Sequence, residues 1–143
     1  MTYGLENEEH GVRIFFKKFK KMHQNAQLHE HGVVLHNTLP YIGASPDAVL
    51  SCDCCKKKTY LEVKSPLRLR ETGVKNWRIL EYLDDNQNLK KSHPHYNQIN
   101  LGSGILNCDV AYFVVYAKNE IIANRVDFDS EFFEMQVTNI RHY

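Results

Sequence analysis

Charge imbalance is missing from this sequence: 18 Lys and Arg stand against 17 Asp and Glu, a net charge of +1, which excludes a uniformly basic nucleic-acid binder. Long apolar runs are missing as well. The longest uninterrupted one, Val110 to Ala117, is far too short to span a bilayer. The start, "MTYGLENEEHGVRIFF", is acidic and lacks the basic-then-apolar order of a secretory signal. There are no repeats, linkers or low-complexity segments. With 143 residues and a 43% apolar fraction, the chain is expected to form one domain, residues 1–143, around a single core. These absences predict an intracellular protein of cytoplasm or nucleus, neither secreted nor bound to a membrane. Cys52, Cys54, Cys55 and Cys108 are then expected to stay reduced.

Positive charge, balanced overall, is clustered locally: Lys17, Lys18, Lys20 and Lys21, then Lys56 to Lys58, then Lys90 and Lys91. Val12, Phe15, Phe16 and Phe19 recur at the spacing of one helical face, with Arg13, Lys17, Lys20 and Lys21 largely on another. This predicts an amphipathic helix from about Leu5 to His23. Two short β-rich runs follow, Val33 to His36 and roughly Gly43 to Ser51, separated by the turn formers Asn37 and Pro40. "TYLEVKS" is a third strand, closed by Pro66. In the mixed middle section, "DDNQN" reads as a turn between two short extended pieces. Tyr96 to Leu106 is expected to be helical despite Gly102 and Gly104. "DVAYFVVYA" has the continuous apolar character of a strand buried on both faces, and "EIIANRVDF" alternates as its partner would. Asp129 or Ser130 would cap a last helix. The order α, β, β, β, α, β, β, α predicts an α/β fold with a central mixed sheet flanked by helices.

The chemistry is concentrated in "GASPDAVLSCDCCKKKTYLEVKSP", Gly43 to Pro66. Strand periodicity turns Glu62 and Lys64 to one face and leaves Leu61 and Val63 to pack beneath. If the cysteine-rich segment is a hairpin turn, the strand starting near Asp47 runs back beside Glu62, and two carboxylates share a ligand position. Such a pair repels unless a cation lies between. An oxygen-only ligand set with open positions suits Mg²⁺ or Mn²⁺. Lys64 would stand where it can orient or help deprotonate an attacking water, or stabilise charge on a phosphorane. That arrangement cleaves phosphodiesters. An acid-x-base triplet also arises by chance roughly twice in a chain of this composition, and a cross-strand ion pair on a solvated face looks the same. Two further acids favour the metal reading. Asp47 follows Pro46 at a strand start, and Glu8 lies one turn ahead of Val12 on the buried helix face, where an unpaired acid is costly. Glu8 also has the plainer reading of an acid at a helix N-terminus.

The segments "YGLENEEHG", "GASPDAVL", "LEVKSP" and "HPHYNQI", in this order from Tyr3 to about Tyr116, resemble the YqaJ-type viral recombinase family, phage lambda exonuclease-like members of the PD-(D/E)XK nucleases. The resemblance implies a restriction-endonuclease-like fold. It makes Asp47, Glu62 and Lys64 the metal-binding and catalytic core, Glu8 the acid of the first motif's helix, Gln98 a catalytic-site glutamine, and the Val63 carbonyl a further metal ligand. It implies a Mg²⁺-dependent exonuclease, with Mn²⁺ able to substitute, that degrades linear double-stranded DNA from an end. A homotrimer and a single-strand annealing partner belong to the same implication. Departures exist. The resemblance leads to the expectation of helices before the first motif, whereas this sequence starts almost at the motif; "HYNQIN" places Asn100 at a second glutamine position, and "VKSP" stands where many relatives have a cysteine after the lysine. The rival reading is a catalytically inactive DNA-binding or interaction module of the same fold.

Other signals are read more plainly. The spacing C-x-C-C of Cys52, Cys54 and Cys55 lacks a second paired half, so ordinary thiols rather than a structural Zn²⁺ are expected. His29 with His31 and His93 with His95 repeat H-x-H, with solvent-exposed loop histidines the expectation, although His93 and His95 precede Gln98 and would contact phosphate when protonated. Lys17, Lys20, Lys21 and Lys57 are the basic residues most suited to a DNA strand, each contact steepening the salt dependence. Of Trp77, Tyr82 and Tyr96, two are expected in the core.

Overall fold

The computed structural model describes residues 3–29, 34–35 and 43–141. Helix α1, Tyr3–Met22, buries Val12, Phe15 and Phe19 and leaves Arg13, Lys17 and Lys20 exposed, as its 3.6-residue periodicity requires. The strands are β1 (Gln27–His29), β2 (Val34–Leu35), β3 (Gly43–Ala44), β4 (Ala48–Ser51), β5 (Thr59–Lys64), β6 (Val110–Ala117) and β7 (Glu120–Asp127). Helix α2 spans Pro94–Ile105 and α3 spans Ser130–Arg141. Among the described residues, five strands form one mixed sheet in the order β1-β4-β5-β6-β7, and β2 pairs with β3 apart from it. Only the β5–β6 pair is parallel; β1–β4, β4–β5 and β6–β7 are antiparallel.

The central strand β5 is covered on both faces. Leu61 and Val63 pack with Val12, Phe15, Phe19 and Val114 under α1, while Tyr60 joins Phe113, Val115 and Ile99 under α2. Each such buried apolar side chain contributes about 1.5–3 kcal/mol over leaving it in water. The parity expected from the sequence is therefore observed: Leu61 and Val63 lie beneath, and Glu62 takes the opposite face with Tyr60. Helix α1 crosses β5 and β6 at Gly11, where a Cβ would come within 2.7 Å of Val63 Cγ1 and 3.1 Å of Tyr116 Cβ. That close crossing sets Glu8, one turn earlier, at the end of the sheet.

Several boundaries differ from expectation, each for a local reason. Strand β1 has three residues, too few to show alternation, and it places His29 in the sheet, bonded to Ser51 Oγ at 2.9 Å, rather than in a loop. Helix α2 starts two residues before Tyr96, because Pro94 occupies its first turn and His93 Nδ1 accepts the His95 backbone N–H at 3.1 Å. The middle section forms 3₁₀ turns at Leu67–Leu69 and Val74–Ile79. The "DDNQN" turn joins two extended pieces as expected: Leu83 bridges Leu89, and Asp84 Oδ1 accepts from the N–H groups of Asn86 and Asn88. Asp129 caps α3, its Oδ1 accepting from Phe132 N at 2.9 Å. Trp77, Tyr82 and Tyr96 are all buried, one more than expected. His31 and the turn at Asn37 and Pro40 lie outside the described residues.

Candidate active site

The β4–β5 hairpin sets the register that matters. Ala48 stands opposite Leu61, and just beyond it Asp47 N donates to Leu61 O at 3.1 Å, so Asp47 falls beside Glu62. The Asp47 carboxylate is held in place by the backbone: Val63 N donates to its Oδ2 at 2.6 Å. Lys64 Nζ stands 3.6 Å from Glu62 Oε1. Glu62 itself is only 5% exposed, and its Oε2 has no hydrogen-bond partner among the described residues. From α1, Glu8 comes close enough for its charge to be felt by Asp47 and Glu62.

Three carboxylates near one lysine hold more negative charge than the lysine can neutralise, and their protonation shows it. Burial first, then Asp47 and Glu8, push the Glu62 carboxyl up to about 8 against the pull of Lys64. Burial raises Asp47 too, opposed by the Val63 N–H and by Lys64. Glu8 is raised by burial and by Asp47. A buried carboxylate with a free oxygen, among acids that burial and mutual repulsion push up, has the donor chemistry that an oxygen-binding divalent cation would satisfy. The residues fit Mg²⁺ or Mn²⁺, with Glu8, Asp47 and Glu62 as its carboxylate ligands and the Val63 carbonyl as the fourth candidate.

Helix α2 lies over the same face. Gly102 meets the Tyr60 ring, where a Cβ would be 2.6 Å from Cε2. At the other end of the helix His95 rests on Phe113, ring centroids 5.6 Å apart, and Phe113 is the β6 partner of Glu62. Burial, then Lys64 and His93, hold His95 down at about 4. His95 is half-buried in the first turn of α2, not a solvent-exposed loop histidine as expected, and its burial favours the neutral ring. Gln98 is exposed, on the stripe between His95 and Gly102. His93, expected at DNA, spends Nδ1 on capping α2. Asn100, at the second glutamine position of the resemblance, is buried and structural: it bonds Asp129 O, Asp129 N and Gln136 Oε1, joining α2 to α3.

Lys17, Lys20, Lys21 and Lys57 are exposed, at the far end of α1 and in the β4–β5 turn. Lys17 and Lys21 stand roughly 13 and 20 Å along the helix axis from Glu8. A surface hollow of about 830 Å³ beside Lys91, Arg125 and Asp129 includes none of Glu8, Asp47 and Glu62.

Beside these lysines the structure gathers a second group. His23, at the exit of α1, lies 3.4 Å from Cys52 Sγ, 3.4 Å from Cys54 Sγ and 3.5 Å from Cys55 Sγ. The expectation of ordinary thiols rested on the lack of a further ligand, and that ground does not hold: the fourth ligand comes from 29 residues upstream of Cys52. Nothing in the C-x-C-C spacing could have indicated it.

The fold matches solved structures. The chain superimposes on the alkaline exonuclease LHK-Exo from Laribacter hongkongensis with a TM-score of 0.72 at 18% identity, over 97% of this chain and 63% of that one. LHK-Exo in complex with dAMP gives a TM-score of 0.70 at 18% identity, over 94% and 61%. The chain thus spans under two thirds of the length of either structure. At this identity the likeness shows the fold alone, and the expected central mixed sheet flanked by helices is the fold observed. No protein-family model matches the chain, and a search of curated proteins finds no match.

Proposed function

We propose that this chain is a Mg²⁺-dependent deoxyribonuclease of the YqaJ type, hydrolysing double-stranded DNA from ends in recombination or DNA processing. The observation that carries the reading is the unpartnered Glu62 Oε2, buried beside Asp47 and Glu8 and faced by Lys64. The fold likeness to an alkaline exonuclease supports the same class. A site without chemical use has no reason to hold three mutually repelling acids.

When bound by Glu8, Asp47 and Glu62, Mg²⁺ supplies a Lewis acid and a more acidic bound water. The chain's own groups do the rest. The Val63 N–H fixes the Asp47 carboxylate, so that one oxygen remains aimed at the cation position. Lys64, half-buried, brings a positive charge to the place where the phosphorane gathers negative charge, and the partial exclusion of water makes that charge count for more. Glu62 orients the ammonium through its other oxygen. Gln98, on the α2 stripe facing this strand, positions water or the scissile phosphate. Neutral His95 offers a hydrogen bond without adding charge. Lys17, Lys20 and Lys21 would meet phosphates about four to six base pairs from the cut, at ~3.4 Å per base pair, and Lys57 in the β4–β5 turn would add a further phosphate contact.

The test is Mg²⁺-dependent digestion of 5′-phosphorylated linear duplex beside a closed circle of the same sequence, with Lys64→Ala in parallel. Loss of the linear duplex alone, with an inert variant, is the expected result. Cutting of the circle as well would make the chain an endonuclease on the same site. Activity retained by a clean, folded Lys64→Ala preparation would remove the mechanism, and no cutting by folded wild type would favour an inactive DNA-binding module.

A further inference from the structure

The His23, Cys52, Cys54 and Cys55 ligand atoms all lie within 4.8 Å of one another. Ligands at about 2.3 Å for sulfur and 2.0 Å for nitrogen around one tetrahedral centre stand roughly 3.5–3.8 Å apart. The three sulfur-to-nitrogen edges, 3.4 to 3.5 Å, have that size, and the Cys52–Cys54 edge is slightly short at 3.2 Å. Three thiolates and one imidazole make a closed, water-free set with the softness of a structural zinc site. The oxygen set at Glu62 has the opposite character.

Two distant pieces of chain are held in place for this. The Phe19 ring lies flat on the His23 ring, centroids 3.9 Å apart and planes 14° off parallel, which fixes the imidazole. Just after His23, Gln24 O accepts from Asp53 N at 2.8 Å, and Asn25 Nδ2 donates to Asp53 Oδ2. The β1–β4 ladder, with Gln27 opposite Ser51, secures the same junction from the sheet side. Lys56, Lys57 and Lys58 follow directly and offset the negative charge that three thiolates leave on a divalent ion.

We propose that His23, Cys52, Cys54 and Cys55 form a structural Zn²⁺ site that clamps the exit of α1 to the β4–β5 turn. It does not rest on the nuclease reading. Binding exchanges the protons of the three thiols for the metal, so the site loads more tightly as pH rises. Its mechanical consequence reaches the acids: α1 carries Glu8 and the β4–β5 hairpin carries Asp47 and Glu62, so the clamp ties together the two elements that build the carboxylate cluster.

The test uses the whole chain, purified anaerobically with reductant. Metal content by mass spectrometry should give about one zinc per chain. After exchange, Co²⁺ should produce the intense visible bands of a tetrahedral ion together with thiolate-to-cobalt charge transfer. Asp47→Asn should retain both signals, because its change lies in the carboxylate cluster. Cys54→Ser with Cys55→Ser should lose both. Wild type free of zinc, with no thiolate–cobalt band on titration, would overturn the proposal whether or not the double variant folds. So would a Cys52–Cys54 disulfide in the wild-type chain that persists under reductant.

Discussion

Val63 N donates to Asp47 Oδ2 at 2.6 Å, so the residue between the acid and base of the E-x-K triplet holds the neighbouring carboxylate in place. Asp47→Asn keeps an oxygen to accept that bond and should leave the fold intact, while removing a charge from the cation site. Cleavage should fall by about a hundredfold or more. Asp47→Ala should in addition lose about 1–2 kcal/mol of stability, because the Val63 N–H is left without its acceptor. Turnover on linear duplex, with urea melts of both variants, checks the pair. Equal activity of Asp47→Asn and wild type would sink the assignment.

Glu62 makes stability depend on pH in a window of its own. Its carboxyl is raised from the usual 4.5 to about 8, so the folded chain keeps a proton that the unfolded chain releases. That contribution is complete below pH 4.5 and is lost as pH climbs to about 8. His95, lowered from 6.5 to about 4, acts in the reverse sense and only below pH 6.5. From pH 6.5 to 8 the Glu62 contribution to metal-free protein should therefore fall, while Cys54, lowered from 9.0 to about 7, acts in the opposite sense above pH 7; Glu62→Gln should remove the falling part and leave a profile that rises relative to wild type. Thermal melts in chelator at several pH values measure this. Parallel profiles for wild type and Glu62→Gln would contradict the buried, crowded carboxylate.

Gly102 is where α2 touches β5. An added Cβ would lie 2.6 Å from Tyr60 Cε2 and 2.7 Å from its hydroxyl, and a ring cannot bend aside. Gly102→Ala should cost about 1–3 kcal/mol through overpacking, despite the better helix propensity of alanine. The companion change is Tyr60→Phe, which removes a buried hydroxyl that has no partner among the described residues. It should leave stability unchanged or raise it by about 1 kcal/mol. Destabilisation by Tyr60→Phe would show that the hydroxyl is bonded after all.

Asn100→Ala should be costly without touching the chemistry. The side chain bonds Asp129 at both its N–H and carbonyl and also reaches Gln136, all from a position 1% exposed. Truncation leaves these groups unpaired and opens a cavity, for a loss of about 2–4 kcal/mol. The Mg²⁺ concentration needed for half-maximal cleavage should stay where it was. A shifted metal requirement would mean that Asn100 supports the acids and not only α3.

How much of this could be read from sequence depends on distance along the chain. The Glu62 and Lys64 face was legible because strand parity is a local rule, and the approach of Asp47 followed once a hairpin was assumed. The order of helices and strands read along the chain led to a central mixed sheet flanked by helices, and the observed fold agrees. Legibility ended where tertiary pairing decides. His23 joins the cysteines only because the three-residue β1 pairs with β4, a strand too short to announce itself. His95 turns inward and His93 caps because Pro94 starts the helix, and H-x-H spacing does not say which ring is buried.

The parallel pairing of β5 with β6 carries a consequence for synthesis and for truncation. Thr59 waits for Val110, and Lys64 for Val115, before the central strand is flanked on that side. A chain stopped ahead of Val110 would contain Glu8, Asp47, Glu62 and Lys64, yet β5 would be an open edge with apolar faces, prone to pair with other chains. The motif is local, whereas the site depends on a non-local ladder that forms slowly. Fragments defined by the motif alone should therefore aggregate rather than cut.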